Sequence, residues 1–212
     1  MNIIIARRNS GAFSLPEEVD MYKLRYQVFY QRLQWQVSSA EGQERDDFDD
    51  CNPIYMLVRE HTARLLGCWR MLPTTGSYML RDTFPELLHG QDAPAEPNVW
   101  ELSRFAVSKH GEGGFGFSDT TIRMIQAIIR FGGEQGIVRY VTVTTVAVER
   151  MLRRLGMDIS RFGPPLQIGI ERAVALNIEI NEKTNAALFN PELEAMLEQA
   201  KVSKLVALPI AA

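Results

Sequence analysis

The chain has 212 residues, 46% hydrophobic and 23% charged, which suits one α/β or α+β domain with a sizeable core. A net charge of −3 and a pI of about 5.7 argue against a general nucleic-acid binder. Two cysteines, Cys51 and Cys68, make neither a disulfide framework nor a metal-ligand spacing, and no stretch nears the roughly 20 apolar residues of a membrane span.

Asn2 to Ala6 reads as a short buried strand. Its apolar run is too short, and wrongly ordered against Arg7 and Arg8, for a signal peptide, so a cytoplasmic protein is expected. Pro16 opens a helix to about Leu33, with Val19, Tyr22, Tyr26, Phe29 and Leu33 roughly on one stripe. Arg25 and Phe29, four apart, share a face of that helix, and Trp35 follows it. These read either as core aromatics with a solvated arginine, or as an aromatic wall beside a guanidinium, suited to a planar base and a carboxylate. Residues 36–52 lack periodicity and read as a mobile loop. They hold Glu41, Glu44, Asp46, Asp47, Asp49 and Asp50 against Arg45. Asp46 and Asp49 converge if the loop turns, and two carboxylates in a cleft attract a sulfonium or ammonium cation. A solvated loop is the plainer account. A metal site fits poorly, because no histidine or EF-hand-like spacing accompanies the acids.

Ile54 to Arg59 and Leu65 to Leu72 alternate as strands across a polar turn. The second carries Trp69 and Arg70, and an arginine in an apolar strand needs a partner or a ligand. Pro73 to Gly76 breaks the pattern, Asp82 is placed to cap a short helix over Phe84 to Leu88, and Gly90 to Pro97 is a loop. Val99 to Val107 reads as a strand in which Glu101, Ser103 and Phe105 share one face and Leu102 and Arg104 the other. A strand charged on both faces either buries a salt bridge that organises the sheet or serves a site.

Gly111, Gly113, Gly114 and Gly116 precede a helix start, where free N–H groups can cradle a phosphate. Glu112 and Asp119 would oppose an anion there. Ser118 N-caps a helix from Asp119 to about Glu134, which Gly136 ends. Val138 to Val146 is the clearest strand, with Thr142 and Thr144 on the face of Val138 and Tyr140. A helix over Ala147 to Leu155 presents Arg150, Arg153 and Arg154, a patch that is solvated or docks an acidic protein. Pro164-Pro165 is a hinge before a long strand from Leu166 to Ile180, and a helix covers Pro191 to Ala200. His61, His89 and His110 sit in polar loops without a serine or cysteine partner, which argues against a catalytic triad. No repeat or linker divides the chain, so residues 1–212 read as one domain with a mixed, twisted central sheet and flanking helices.

Taken in order, Arg25, Phe29, Trp35, Asp46, Asp49, Arg70, Glu101 and Arg104 resemble the motif residues of the LuxI-family acyl-homoserine lactone synthases, which make quorum-sensing signals. GCWR, YMLRDTFPELLHG, WELSRFA, GFSD, VTVTTV, SRFGP and IGIERAVALNIE resemble its LasI-type members, over nearly the whole chain between residue 20 and about Leu188. The resemblance implies a GNAT-like α/β sandwich and an acyltransferase acting on S-adenosylmethionine (SAM) and an acyl chain on acyl carrier protein. The SAM amine attacks the thioester, the methionine carboxylate closes the lactone, and methylthioadenosine leaves. By the same resemblance Glu101, Arg104, Asp46, Asp49 and Arg70 are catalytic, with Glu101 the base, through a water. Arg25, Phe29, Trp35, Trp69 and Phe105 shape the SAM pocket, and Ser103, Thr142 and Thr144 contact the acyl chain. Arg150, Arg154 and Arg172 dock the carrier protein. A long-chain 3-oxo product is expected, with SAM as substrate and neither cofactor nor metal. The alternative is a GNAT-type N-acyltransferase using acyl-CoA, but Ser108 stands where that family's pyrophosphate loop has Gln or Arg. A binding module without activity is a third reading, which the convergent charges disfavour.

Overall fold

A computed structural model of the chain describes residues 1–60, 64–108 and 118–206. The strands are β1 (Asn2–Arg7), β2 (Ser39–Ala40), β3 (Gln43–Glu44), β4 (Ile54–Arg59), β5 (Leu65–Pro73), β6 (Val99–Val107), β7 (Arg139–Thr145), β8 (Ile159–Arg161), β9 (Leu166–Ile168) and β10 (Glu171–Glu179). The α-helices are α1 (Leu15–Arg25), α2 (Met79–Asp82), α3 (Asp119–Glu134), α4 (Val146–Arg154), α5 (Glu182–Leu188) and α6 (Pro191–Val206). Eight strands form one sheet in the order β1-β4-β5-β6-β7-β10-β8, with β9 also on β10. Every pairing in it is antiparallel except β6 with β7. This is the expected mixed sheet, and its single parallel contact lies where the site forms.

Alternation decides the layers. Ile54, Met56, Val58, Trp69, Met71, Leu102 and Tyr140 point to the face covered by Ile125, Ile128 and Ile129 of α3 and Met151 and Leu152 of α4. Tyr55, Leu57, Cys68 and Ala106 point to the other face, against Met21, Tyr22, Leu24 and Phe29. Leu72, Val99, Val141 and Ala175 extend that second face under Leu80, Leu87 and Leu88. Helices thus cover both faces, as a sheet buried on each side requires.

Several elements depart from the sequence reading. The first helix is α-helical only to Arg25, and Tyr26–Arg32 continue it as π-helix. It begins at Ser14, whose N–H and hydroxyl both donate to Glu17, at 2.6 and 2.8 Å, a capping interaction the sequence reading left out. The expected loop over 36–52 holds the β2–β3 hairpin and a 3₁₀ turn over Asp47–Cys51. Asp82 ends α2 and accepts the Tyr78 N–H at 3.2 Å rather than capping the 3₁₀ turn at Pro85–Leu88. The single long strand over 166–180 is a hairpin, β9 and β10, reversed at Gly169, whose φ of 58° suits glycine. The glycine run 111–116, His61 and His110 lie outside the described residues.

Candidate active site

A β-bulge in β6 builds the site. Arg70 of β5 pairs with Ser103, and Cys68 pairs with Ala106, so two steps on β5 match three on β6. The extra residue leaves Arg104 at φ 58°, a left-handed conformation that costs a non-glycine residue about 1–3 kcal/mol. Its effect is to turn Ser103 and Arg104 to the same side. The expected alternation therefore fails after Ser103. Glu101, Ser103 and Arg104 face α1 and α2, while Leu102 and Phe105 face α3 and α4.

The bulge also ends a pairing. β6 and β7 are hydrogen-bonded only from Val99/Arg139 to Leu102/Thr142, and beyond that they part. A cavity of about 570 Å³ occupies the gap, within the usual range for a ligand pocket. On the α1 side it is lined by Phe29, Trp35, Met79, Glu101, Ser103 and Arg104, and on the other side by Phe105, Thr121, Thr144, Val148 and Met151.

Beneath its α1 side lies a network of three guanidiniums and three carboxylates. Arg25 gives Nη1 and Nη2 to Asp49 at 2.8 and 3.0 Å and Nε to Glu44 at 2.5 Å. Arg70 reaches Asp46 at 2.5 Å, Asp49 at 2.8 Å and the Ser103 hydroxyl at 3.1 Å. Arg104 bonds Glu44 at 2.9 Å and Asp46 at 2.7 Å. Tyr55 donates to Asp49 at 2.5 Å. Burial pushes the Asp46 and Asp49 carboxyls up, but Arg70 with Arg104, and Arg25 with Arg70, outweigh it and hold both below the usual carboxylate range. Asp46 and Asp49 converge as the spacing anticipated. The Asp46 side chain accepts the Phe48 N–H, and Asp49 accepts the Asp46 N–H at 3.0 Å.

The positions of the expected site residues differ. Asp49 is fully buried, and its oxygens are taken by Arg25, Arg70 and Tyr55. Asp46, Arg25 and Arg70 likewise lie behind the cavity wall rather than on it. The guanidinium on the aromatic wall is Arg104, 5.3 Å over Phe29, not Arg25. Phe29 stacks on Trp35 at 5.5 Å, and the backbone N–H of Trp35 donates to the Phe29 carbonyl at 2.9 Å. Trp69 packs behind Phe105 at 4.6 Å and does not line the cavity. Thr142, hemmed in by Leu102 and Leu176, lies below the split, whereas Thr144 lines it. Glu44, which the sequence reading passed over within its acidic run, joins Arg25 to Arg104 and is wholly buried. Among the described residues no group of histidine, cysteine and acidic side chains is arranged to hold a metal ion.

Glu101 forms no ion pair with the network among the described residues. Its oxygens accept the N–H groups of Met79 and Leu80 at 3.0 and 2.7 Å. Burial raises its pKa, and those two N–H bonds oppose the rise without cancelling it. The Met79 sulfur lies 3.1 Å from an Arg70 nitrogen and 3.2 Å from one of Arg104, so one residue touches both the carboxylate and the network. Farther off, Arg150 and Arg154 are exposed and one helical turn apart, and Arg172 is exposed at the start of β10. None of the three forms an ion pair among the described residues. Arg153 and Arg161 instead hold the buried Glu149, at 3.0 and 2.5 Å.

The autoinducer synthase family model matches residues 13–188. An acyl-homoserine-lactone synthase of Pseudomonas aeruginosa is 54% identical over 172 residues, covering 80% of this chain and 86% of that protein. The crystal structure of the AHL synthase LasI superposes with a TM-score of 0.82 at 50% identity, covering 89% of this chain and 94% of the other. TofI, solved in a ternary complex with an inhibitor and MTA, gives a TM-score of 0.76 at 34% identity, covering 91% and 100%.

Proposed function

Because the chain belongs to the autoinducer synthase family and is an acyl-homoserine-lactone synthase, an acyltransferase, we propose that it uses SAM and an acyl chain carried on acyl carrier protein, releasing methylthioadenosine. The cavity through the split sheet carries this reading. One side offers a carboxylate and an aromatic wall, and the other offers apolar side chains and hydroxyls. The first suits an amino acid bearing a base, the second an acyl chain. MTA bound to TofI supports SAM, since methylthioadenosine is what SAM leaves behind.

The chemistry needs a free amine. A SAM α-amine with a pKa near 8 is mostly protonated at neutral pH. Glu101, lining the cavity with a raised pKa, is a stronger base than an ordinary glutamate and takes that proton through a water. The amine nitrogen attacks the thioester carbon, the C–S bond breaks, and the carrier leaves as a thiolate that collects the proton. A methionine carboxylate oxygen then attacks the carbon beside the sulfonium. That C–S bond breaks with its electron pair going to sulfur, which leaves neutral methylthioadenosine. Phe29 and Trp35 stack the adenine, and Arg104 steadies Glu44 and Asp46 behind the amino-acid end. Ser103 and Thr144 carry the hydroxyls near the acyl chain, and a donor to a 3-oxo group would be left unpaired by an unsubstituted chain. A long-chain 3-oxo lactone is the product this reading gives. Arg150, Arg154 and Arg172 meet the acidic carrier.

The test supplies purified protein with SAM and the same acyl group on acyl carrier protein or on CoA, and counts lactone and methylthioadenosine by mass spectrometry. Equal amounts of both products are expected, with kcat/KM at least tenfold higher for the carrier protein. Equal or better turnover of acyl-CoA would replace the carrier assignment. No methylthioadenosine with either thioester would overturn the substrate reading. That reading also puts the enzyme in the cytoplasm with its carrier; no described helix is long and apolar enough to cross a membrane.

A further inference from the structure

Two guanidiniums line the cavity, and they differ in how far their donors are spent. Arg104 gives Nε to Glu44, Nη2 to Glu44 and Asp46, and Nη1 to the Met79 sulfur. Among the described residues Arg32 gives only Nη1, to the Val107 carbonyl at 3.3 Å. Among them its buried Nε has no partner, and it forms no ion pair. Burial alone lowers its pKa, as expected of a cation drawn from water with no carboxylate in answer. A part-buried guanidinium with donors to spare is a binding element for an anion.

Which anion it takes follows from distance. The Arg32 guanidinium is held at Val107, six residues along β6 from Glu101. At about 3.3 Å per residue, less one step for the bulge, that is roughly 16 to 20 Å. The SAM carboxylate shares a carbon with the amine that Glu101 serves, so it cannot reach Arg32 as well. Adenosine carries no negative charge. The acyl donor does, at the right remove: its phosphopantetheine arm has about thirteen bonds from thioester sulfur to phosphorus, roughly 15 Å extended.

We propose that Arg32 binds the phosphate of the phosphopantetheine arm that delivers the acyl thioester. The proposal deepens the reading above and rests on Glu101 marking the reacting end. In the reading above Phe29 and Trp35 on the α1 wall are taken by the adenine, which leaves the arm the β6 end of the split, where Ser108 and Ser118 also line the cavity. The same arm occurs on acyl carrier protein and on CoA, so either can supply the phosphate.

Calorimetric titration of wild type, Arg32→Gln and Arg32→Lys with 4′-phosphopantetheine and with pantetheine tests this without turnover. Wild type should bind the phosphorylated compound at least tenfold more tightly, the scale of a charge-assisted hydrogen bond. Arg32→Gln should erase that preference and Arg32→Lys retain part of it. In steady state, Arg32→Gln should raise KM for the acyl donor about tenfold and change KM for SAM by less than twofold. A rise with both acyl carrier protein and CoA, or with the carrier alone, supports the arm. A rise with CoA alone points to the nucleotide phosphates of CoA and overturns the proposal. Equal wild-type affinity for the two compounds, or an equal rise in KM for SAM, also overturns it. Failure of the substrate reading looks different: wild type then makes no lactone from any thioester, whatever the titration gives.

Discussion

Replacing Glu44 by alanine tests the network most directly. Its carboxylate receives Arg25 Nε at 2.5 Å and Arg104 Nε and Nη2 at 3.0 and 2.9 Å, with no exposure to water. Without it, three buried guanidiniums face two carboxylates, and one positive charge lacks its counterion. Breaking a buried pair by removing one partner costs about 3–5 kcal/mol, a large share of a whole stability of about 5–15 kcal/mol. For a chain of this size each kcal/mol lowers Tm by about 2–4 °C, so a fall of roughly 6–20 °C is expected. Urea titration at pH 7 should show a lower midpoint with an unchanged slope. Asp47→Ala, in the same acidic run but exposed, is the control and should stay within about 0.5 kcal/mol of wild type. If Glu44→Ala is no less stable than Asp47→Ala, the network does not hold the loop to the sheet and the argument fails. Acid should reach the same network. Asp46 and Asp49 have folded pKa values below their unfolded value near 4. They bind protons more weakly when folded, so their contribution is complete above that value and is lost as pH falls through the folded values.

Three further outcomes are expected. Glu101→Gln should keep SAM affinity in calorimetry while lactone formation falls by two or more orders of magnitude; the acid limb of the wild-type kcat/KM profile should lie above the ordinary glutamate value of 4.5, since burial raises this carboxyl, and a limb at or below it would remove Glu101 as the base. Reversing Arg150 and Arg154 to glutamate should raise KM for acyl carrier protein and leave KM for SAM nearly unchanged, and the wild-type KM for the carrier should climb with salt; matching effects on both substrates would point to misfolding instead. Thr144→Val should shift products toward unsubstituted chains and Thr142→Val should not, because only Thr144 lines the cavity; the reverse order in mass spectra of the lactones would sink the assignment.

Much of this protein is written in local pattern. The two-residue period of β4, β5 and β7, the Ser118 cap and the Gly136 stop need only neighbouring residues, and each could be placed from the chain alone. The order of Arg25, Phe29, Trp35, Asp46, Asp49, Arg70, Glu101 and Arg104 carried the family for the same reason, since a motif is a property of sequence. What a residue touches is not. The period predicted opposite faces for Ser103 and Arg104, and a single extra residue opposite β5 reversed that. A bulge is a mismatch between two strands, and one strand cannot record it. Glu44 looked like any acid in a charged run until folding brought Arg25, nineteen residues away, and Arg104, sixty away, to its oxygens. Arg32 carried no signal in the sequence, and it lines the cavity only because the chain folds it there. Sequence by itself therefore determined most of the strands and helices and the kind of chemistry. Tertiary structure alone decided which charges are spent on one another and which remain for a ligand, because burial and pairing depend on contacts made across the whole chain.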